Sequence, residues 1–427
     1  MNMTTAANSN FAYLDAKDRT YNIYNQSGKN LMQTHGPVGI IALTGAEDFA
    51  AKVNAKLLDR RKQYLEGLDS SDPSILEPGF LREDYTIPVD LVRFSSGEGK
   101  AVINSTVRGH DLYIIVDPLN YSKTYKMFGQ DNRMSPDDHY QNLIRTILAI
   151  SGKARRINVV MPFLYESRQH RRSARESLDC AYMLEEIFSL GVTNFLTFDA
   201  HDERVANSVP IGGFESISTC YQILKAMVKT IPDISFSPDH MMVVSPDEGG
   251  IKRAMYYASV LGLSLGTFYK RRDYAVVEAG RNPIVAHEFL GESVEGYDIL
   301  IVDDMISSGD SMLDLARILK EKKAKRIFCA TSFGLFTDGV ERFRQAHEQG
   351  LIDHVFCTNL NYHQPDLLES SWYTDADMTK FVALLIDSLN HNASISGLLD
   401  PSAKINKLIK KLDKKRKGNE GDEEDQD

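Results

Sequence analysis

One stretch of the chain, Ile299–Ser311, constrains the fold more than any other. It begins with four consecutive apolar residues, which is typical of a parallel strand covered on both faces, because such strands lose the apolar/polar alternation. Two carboxylates and a loop of small residues around Gly309 follow, and the apolar spacing over Met312–Lys320 then predicts a helix. The loop should therefore join the carboxyl end of a strand to the amino end of a helix, as in α/β folds.

This loop has the chemistry of an anion site. Free backbone N–H groups and the dipole at a helix amino terminus favour an anion, and Gly309 lets the backbone approach it closely. Further donors and acceptors line the loop: the hydroxyls of Ser307, Ser308 and Ser311, and the carboxylates of Asp303, Asp304 and Asp310. Asp303 and Asp304 are placed to accept hydrogen bonds from sugar hydroxyls, or to hold a metal through water. The run predicts a sugar-phosphate site; the alternative is an ordinary strand–turn–helix with an acidic strand end.

Composition excludes several classes of function. The 427 residues suffice for two or three domains, and the net charge of −10 argues against nucleic acid as the main partner. No run of about 18 apolar residues exists, so we expect no membrane span. The polar amino terminus shows no secretion signal. The four cysteines lack metal-ligand spacing, so we expect reduced thiols and a cytoplasmic location.

Strands alternate with helices along the chain, which predicts parallel sheets in two similar α/β units. In the first series we expect strands at 38–43, 89–94, 101–103, 112–116, 157–161 and 195–198, and helices at 46–64, 137–150 and 175–190. In the second we expect strands at 241–244, 263–268, 299–302, 326–331 and 354–358, and helices at 217–229, 249–261, 311–322, 338–348 and 376–390.

The predicted organisation has four parts. It comprises an N-terminal extension (1–36), an N-terminal domain (37–215), a C-terminal domain with the phosphate loop (216–395) and a charged tail (396–427). The tail is rich in Lys and then acidic, so we expect a helix near 403–413 followed by disorder.

Three more strand ends carry polar groups. Asp247 lies in a Ser-Pro-Asp-Glu-Gly-Gly turn, at the strand end where ligands bind in open α/β sheets, although a structural Gly-Gly turn explains it equally well. His201 follows a strand beside carboxylates; a lone histidine is more often structural, but this placement favours contact with metal-bound water, for which a nitrogen ligand of Mg²⁺ would be unusual. Arg168 and Gln169 lie in an Arg-rich loop suited to phosphate or to stacking on a purine, unless it is only a solvated face.

A basic segment opens a long stretch that extends to about residue 298. Lys270 and Arg272 could stabilise the negative charge on a transferred phosphoryl group, and aperiodic segments of this length are often lids. The alternative is a basic loop that keeps an exposed strand end soluble.

The order of these motifs is more specific than any one of them. The loop at 299–311 resembles the phosphoribosyl-diphosphate loop of type I phosphoribosyltransferases. Residues 38–395 as a whole resemble ribose-phosphate diphosphokinase, the phosphoribosyl diphosphate synthetase family. The motifs that carry the resemblance are Phe94-Ser-Ser-Gly-Glu98, Arg168-Gln169, Asp199-Ala-His201, Ser245–Gly250, Lys270-Arg-Arg272 and Asp303-Asp304.

The resemblance implies two tandem phosphoribosyltransferase-like domains and transfer of the diphosphoryl group of Mg-ATP to ribose 5-phosphate. It implies that Phe94, Ser96 and Glu98 line the adenine pocket of a neighbouring subunit and that Arg168 and Gln169 contact ATP. It implies that His201 and Asp247 hold Mg²⁺, that Lys270 and Arg272 stabilise the transition state, and that Asp303, Asp304 and Ser307–Ser311 bind ribose 5-phosphate. It also implies a homo-oligomer of dimers that assemble to a hexamer.

The chain departs from the family pattern at two places. His170 stands where the family usually has Asp, and the phosphate loop reads Ser-Ser-Gly-Asp-Ser where the family usually has Asp-Thr-x-Gly-Thr. Asp310 should repel a bound phosphate unless it points away. Two alternatives therefore stay open: a non-catalytic regulatory relative of the synthetase, and a phosphoribosyltransferase.

Overall fold

The computed structural model describes residues 34–66, 79–172, 175–272 and 284–423, without the side chains of 270–272, 284–287, 415 and 417–423. Most of the predicted N-terminal extension and the end of the acidic tail lie outside these residues. The chain divides into two compact units, Met1–Ile217 with Thr379–Asp400, and Ser218–Met378 with Pro401–Asp427. Within the described ranges, no helix has the length and apolar character needed to cross a membrane.

The first unit begins with alternating strands and helices. They are β1 (Val38–Ala42), α1 (Glu47–Glu66), β2 (Val89–Arg93), β3 (Gly99–Ile103), β4 (Asp111–Ile115), β5 (Thr124–Met127), β6 (Gln130–Arg133), α2 (Pro136–Ile150), β7 (Arg156–Val160), α3 (Asp179–Ser189), β8 (Asn194–Phe198) and β9 (Gly213–Ile217). A parallel sheet runs in the order β1-β4-β7-β8-β9, and β2–β3 and β5–β6 are separate hairpins. The β5–β6 hairpin and β9 were not predicted, because they carry little apolar periodicity.

The second unit repeats this alternation. It contains α4 (Cys220–Thr230), β10 (Met241–Ser245), α5 (Ile251–Leu261), β11 (Ser264–Arg272), β12 (Ile284–Leu290), β13 (Asp298–Ile306), α6 (Asp310–Glu321), β14 (Arg326–Gly334), α7 (Glu341–Glu348), β15 (His354–Thr358), α8 (Pro365–Leu368) and β16 (Tyr373–Ala376). The sheet order is β12-β11-β10-β13-β14-β15-β16, and among the described strands of this sheet only β11 and β12 pair antiparallel.

Helices cover both faces of the second sheet. Ile299 and Ile301 of β13 pack with α6 and α7, whereas Leu300 and Val302 pack with α4 and α5. Both faces of the strand are therefore apolar, which explains its unbroken hydrophobic run. β13 continues to Ile306, so the two acids that were expected just after the strand lie within it.

The last helices differ from the predicted domain boundaries. α9 (Thr379–Asn390) and α10 (Ser396–Leu399) belong to the first unit and not to the C-terminal domain. The cause is a buried contact with α1, in which Arg61 donates to Asp387 Oδ1 at 3.0 Å and to Asn390 Oδ1 at 2.7 Å. α11 (Ser402–Glu423) extends beyond the predicted helix at 403–413 into residues expected to be disordered, and its Ile405 and Leu412 pack in the core of the second unit.

Candidate active site

Two adjacent carboxylates lie near the carboxyl end of β13, at the centre of the second sheet. Asp304 is buried, and the Asp303 side chain keeps 26% of its surface exposed. Asp303 Oδ1 accepts a hydrogen bond from the Asp304 backbone N–H at 2.8 Å, and Arg253 Nη1 lies 3.9 Å away. Burial, together with the charge of Asp304, raises the pKa of Asp303 well above its ordinary value. Ionising both acids is therefore costly without a ligand that supplies donors or positive charge.

The turn after β10 lies beside these acids, because β10 and β13 are parallel neighbours. Asp247 Oδ1 accepts from the backbone N–H groups of Gly249 at 2.9 Å and Gly250 at 3.1 Å. A Cβ on Gly250 would lie 3.1 Å from Ser245 Oγ and 3.5 Å from Asp303 Oδ1. The backbone of this turn therefore lies close to Asp303, a side chain at Gly250 would press on Ser245 Oγ, and Asp247 also has a structural role in holding the turn.

The phosphate loop connects β13 to α6. Gly309 has φ +85°, and an added Cβ would lie 2.2 Å from Cε2 of Phe343 in α7. Both the backbone conformation and the space therefore require glycine. The Ser308 hydroxyl donates to Asp310 Oδ2 at 3.0 Å, and the Ser307 carbonyl accepts from Thr337 N–H at 3.0 Å. The loop is thus fixed at both ends before any ligand binds.

The carboxylate of Asp310 forms an ion pair with Arg342, which lies in the first turn of α7. Hydrogen bonds from Arg342 and Ser308 hold the pKa of Asp310 below its ordinary value, so the carboxylate is charged at neutral pH. The repulsion expected between Asp310 and a phosphate is therefore countered by a neighbouring guanidinium. The sequence did not predict a role for Arg342, because α6 and β14 separate it from the loop along the chain and no local pattern links the two.

The first unit brings together two other predicted loops. β7 and β8 are parallel neighbours, and the loops that carry Gln169 and His201 leave their carboxyl ends. His170 lies between the loops, with its ring centroid 5.4 Å from that of His201 and its Nε2 3.5 Å from Asp202 Oδ2. Arg168 is exposed at this edge. His170, the residue that departs from the family pattern, thus lies beside the carboxylate of Asp202 in the other loop.

The predicted adenine-binding residues lie on the β2–β3 hairpin. The Ser96 hydroxyl donates to Glu98 Oε2 at 2.8 Å, and the Phe94 ring is 48% exposed, with Lys100 Nζ 5.9 Å from its centroid. The second hairpin supports this turn, since Phe128 N–H donates to the Ser95 carbonyl at 2.8 Å. The hairpin therefore presents an aromatic face to solvent within its own unit.

Lys270 and Arg272 lie in the second half of β11, which pairs with the edge strand β12. The register of this pairing shifts between Arg271 and Arg272. Their side chains lie outside the described residues. The predicted long segment to residue 298 contains a strand, Ile284–Leu290, and its part at 273–283 also lies outside the described residues.

The described residues include no group of three or more His, Cys, Asp or Glu side chains arranged to hold a metal by themselves. His201 belongs to the first unit and Asp247 to the second. Asp247 and Asp303 supply the oxygen donors that Mg²⁺ prefers, whereas the nitrogen of His201 suits contact through water or phosphate. The carboxylates of the second unit are therefore donors of the type that a cation would use together with oxygens of a ligand.

Two family models match the chain, one over each unit. The N-terminal domain of ribose phosphate pyrophosphokinase matches residues 38–191, and the phosphoribosyl transferase domain matches residues 218–364. The ribose-phosphate pyrophosphokinase of Vibrio cholerae is 29% identical over 314 residues, which are 72% of this chain and 90% of the relative. That of Shewanella oneidensis is 30% identical over 312 residues, 72% of this chain and 89% of the relative.

A solved structure agrees at the level of the fold. The crystal structure of phosphoribosylpyrophosphate synthetase from Mycobacterium smegmatis has a TM-score of 0.63 and 19% identity, covering 84% of this chain and 100% of that chain. The fold is therefore two phosphoribosyltransferase-like domains, each a mostly parallel sheet flanked by helices. With both halves matched and the similarity extending over most of each relative, the chain belongs to the ribose-phosphate pyrophosphokinase family.

Proposed function

We propose that this protein is a ribose-phosphate diphosphokinase. The C1 hydroxyl oxygen of ribose 5-phosphate attacks the β-phosphorus of ATP, the bond from that phosphorus to the α,β-bridging oxygen breaks, and AMP leaves. The hydroxyl proton is lost, and the product is 5-phosphoribosyl 1-diphosphate. The observation that carries the proposal is the second unit's strand end, where a carboxylate pair precedes a glycine-containing loop at a helix amino terminus, in a chain that matches this family over both units.

The second unit binds the sugar phosphate in this proposal. Asp303 and Asp304 accept hydrogen bonds from the 2- and 3-hydroxyls of the ribose, which offsets the burial and the charge of Asp304 that together raise the pKa of Asp303. The 5-phosphate accepts hydrogen bonds from the residues of the loop: Ser307, Ser308, Gly309 and Ser311, with Asp310 turned to Arg342. Such contacts position the C1 hydroxyl, and positioning supplies much of the catalysis in phosphoryl transfer.

The first unit supplies the nucleotide contacts. Arg168 and Gln169 bind the ATP phosphates, and Phe94 stacks on the adenine while Ser96 and Glu98 hydrogen bond to it. The exposure of the Phe94 ring within its own unit supports a pocket completed by a second copy of the chain. We infer a homo-oligomer in which dimers assemble to a hexamer. We also infer a cytoplasmic location.

Charge neutralisation completes the mechanism. Lys270 and Arg272 stabilise the negative charge that develops on the transferred group. His201 and Asp247 would hold Mg²⁺, with His201 acting through water or the nucleotide phosphates. When bound, the metal supplies positive charge against the triphosphate.

The test is AMP release by the purified chain, given Mg-ATP with and without ribose 5-phosphate. We expect AMP only with the sugar phosphate, and a fall of about 100-fold or more in Lys270→Ala, because one transition-state contact is worth about 3 kcal/mol. Lys229→Ala, an exposed lysine of α4, is the matched control and should keep the wild-type rate.

Two other outcomes identify the alternatives. Binding of ribose 5-phosphate without any AMP release would favour the non-catalytic regulatory relative. Binding of 5-phosphoribosyl 1-diphosphate with a base or amine acceptor, and no reaction with ATP, would favour a phosphoribosyltransferase.

A further inference from the structure

The phosphate loop carries a negative charge of its own. Asp310 is exposed, and it occupies the first position of α6, at the helix end to which the proposed function assigns the 5-phosphate. A carboxylate at a helix amino terminus stabilises the helix, but it also competes for the same positive potential as a bound phosphate. An uncompensated Asp310 would therefore weaken the site that the loop builds.

The neighbouring charges show where compensation comes from. Arg342 forms an ion pair with Asp310 directly, and Arg317 contributes a weaker positive potential. Arg317 is itself paired, since its Nη1 lies 2.5 Å from Oδ1 of Asp314, one turn earlier in α6. Arg342 is thus the cation paired with the loop carboxylate, while Arg317 and Asp314 form a neutral pair.

The same turn of α7 contacts the loop at a second point. Phe343, the residue after Arg342, has its ring in the space that a Gly309 side chain would need. Phe343 is fully buried, and its ring is stacked on Trp372 with centroids 6.0 Å apart. This packing fixes the first turn of α7, so Arg342 is presented to Asp310 from a rigid support.

Ser308 links this ion pair to the ligand donors. Asp310 Oδ2 accepts from the Ser308 hydroxyl at 3.0 Å, while Arg342 pairs with Asp310 Oδ1. A carboxylate held by the guanidinium keeps Ser308 oriented, and a carboxylate released from it would be free to turn toward the anion. The ion pair between Asp310 and Arg342 therefore controls the net charge of the loop and the orientation of the Ser308 hydroxyl.

We propose that Arg342 is a positioning residue for the 5-phosphate loop, which neutralises Asp310 and holds it away from the bound phosphate. This inference rests on the proposed function. It assigns to α7 a part in ribose 5-phosphate affinity and leaves ATP binding to the rest of the chain.

The experiment is a set of four proteins: wild type, Arg342→Gln, Asp310→Asn and the double variant. Ribose 5-phosphate binding is measured by calorimetry without ATP, and KM and kcat are measured by AMP release. We expect Arg342→Gln to weaken ribose 5-phosphate binding about fivefold to tenfold, since an uncompensated charge then faces a dianion, with the KM for ATP little changed. In the Asp310→Asn background, the same Arg342 change should alter binding by less than about twofold, because the charge to be compensated is absent.

Three controls separate this role from a structural one. Arg342→Lys keeps the charge and should recover most of the affinity. Arg344→Gln removes the exposed partner of Glu341 in the same helix, at 2.8 Å, and should leave binding unchanged. The Arg342→Gln defect should also shrink between about 0.05 M and about 0.5 M salt, because exposed charges are screened.

Two results would overturn the inference alone. One is an Arg342→Gln protein that binds ribose 5-phosphate as tightly as the wild type. The other is a double variant as weak as Arg342→Gln itself, which would show a packing role without electrostatic coupling to Asp310. A wild-type protein that neither binds ribose 5-phosphate nor releases AMP would instead overturn the proposed function, and this inference with it.

Discussion

Asp387 in the first unit and Asp303 in the second have opposite electrostatic surroundings, and their pKa values shift in opposite directions. Asp387 of α9 lies in the first unit with its side chain 7% exposed, and it is paired with Arg60 Nε at 2.7 Å and Arg61 Nε at 3.0 Å. Burial alone would raise the pKa of Asp387, but His391, Arg61 and Arg60 outweigh burial and hold it well below the ordinary value. Asp303 has a second carboxylate, Asp304, as its immediate neighbour, and its pKa is raised.

The difference separates a structural charge from a functional one. Asp387 is neutralised by groups of its own unit, so it stabilises the contact between α1 and α9. Asp303 lies where its charge is unfavourable, and we propose that a ligand supplies the donors that its own unit does not; binding sites commonly store such strain, which the rest of the fold must offset. The comparison predicts opposite effects for the same chemical change at the two positions.

The largest effect should come from Asp387→Asn. Removing one partner of a buried ion pair leaves the guanidinium of Arg61 uncompensated, so the free energy of unfolding should fall by about 3–5 kcal/mol. Denaturant unfolding at pH 7 measures it, with Asp59→Asn, an exposed carboxylate of α1, as a control that should stay within about 0.5 kcal/mol of wild type. A loss equal to that of the control would contradict the structural role.

The pH dependence of this loss has a definite sign. Because the folded-state pKa of Asp387 is depressed, its stabilisation is present above the ordinary Asp pKa of about 3.9 and is lost as the pH falls below it. The gap between wild type and Asp387→Asn should therefore be widest near neutral pH and should narrow in acid.

The next largest loss of stability should separate Gly309 of the phosphate loop from Gly262, which only ends helix α5. Gly309→Ala imposes both a positive φ and a clash with Phe343, so we expect a loss of about 3 kcal/mol in stability and weaker ribose 5-phosphate binding. Gly262, after α5, has φ +68° and nothing within 4 Å of an added Cβ, so Gly262→Ala should cost about 1 kcal/mol. Equal losses in thermal unfolding would show that Phe343 does not constrain the loop.

The smallest effect on stability should be a slight gain, where the previous substitutions cause losses. Asp303→Asn removes a charge whose folded-state pKa is raised, so in metal-free buffer the variant should unfold at the same temperature as wild type or slightly above it. The penalty of ionised Asp303 is absent below the ordinary Asp pKa and grows as the pH rises through the raised value. Any advantage of the variant should therefore disappear near pH 4, whereas a clear loss of stability at pH 8 would contradict the comparison.

Local sequence patterns predicted the alternating strands and helices because buried parallel strands and amphipathic helices leave short-range signals. They did not predict the β5–β6 hairpin, whose strands are polar, or the edge strands β9, β12 and β16. The assignment of α9 to the C-terminal domain was wrong, because its partner Arg61 lies more than three hundred residues earlier. Short patterns carry no information on contacts of that range.

The candidate site follows the same rule. The glycine turns and the acid pair were visible in the sequence, since each is contiguous and sits at a strand end. The pairings of Asp310 with Arg342 and of His170 with Asp202 were not visible, because each joins two loops or helices that only the fold brings together. The roles of the individual site residues remain predictions for mutagenesis.

Calorimetric titration of ribose 5-phosphate into Asp303→Asn and wild type tests the central claim most directly. If Asp303 accepts a hydrogen bond from a ribose hydroxyl, the variant should remain folded and bind about 10-fold to 100-fold more weakly, because a hydrogen bond to a charged acceptor is weakened. Equal affinity in the two proteins would show that this strand end does not hold the sugar, and would remove the main support for the proposed function.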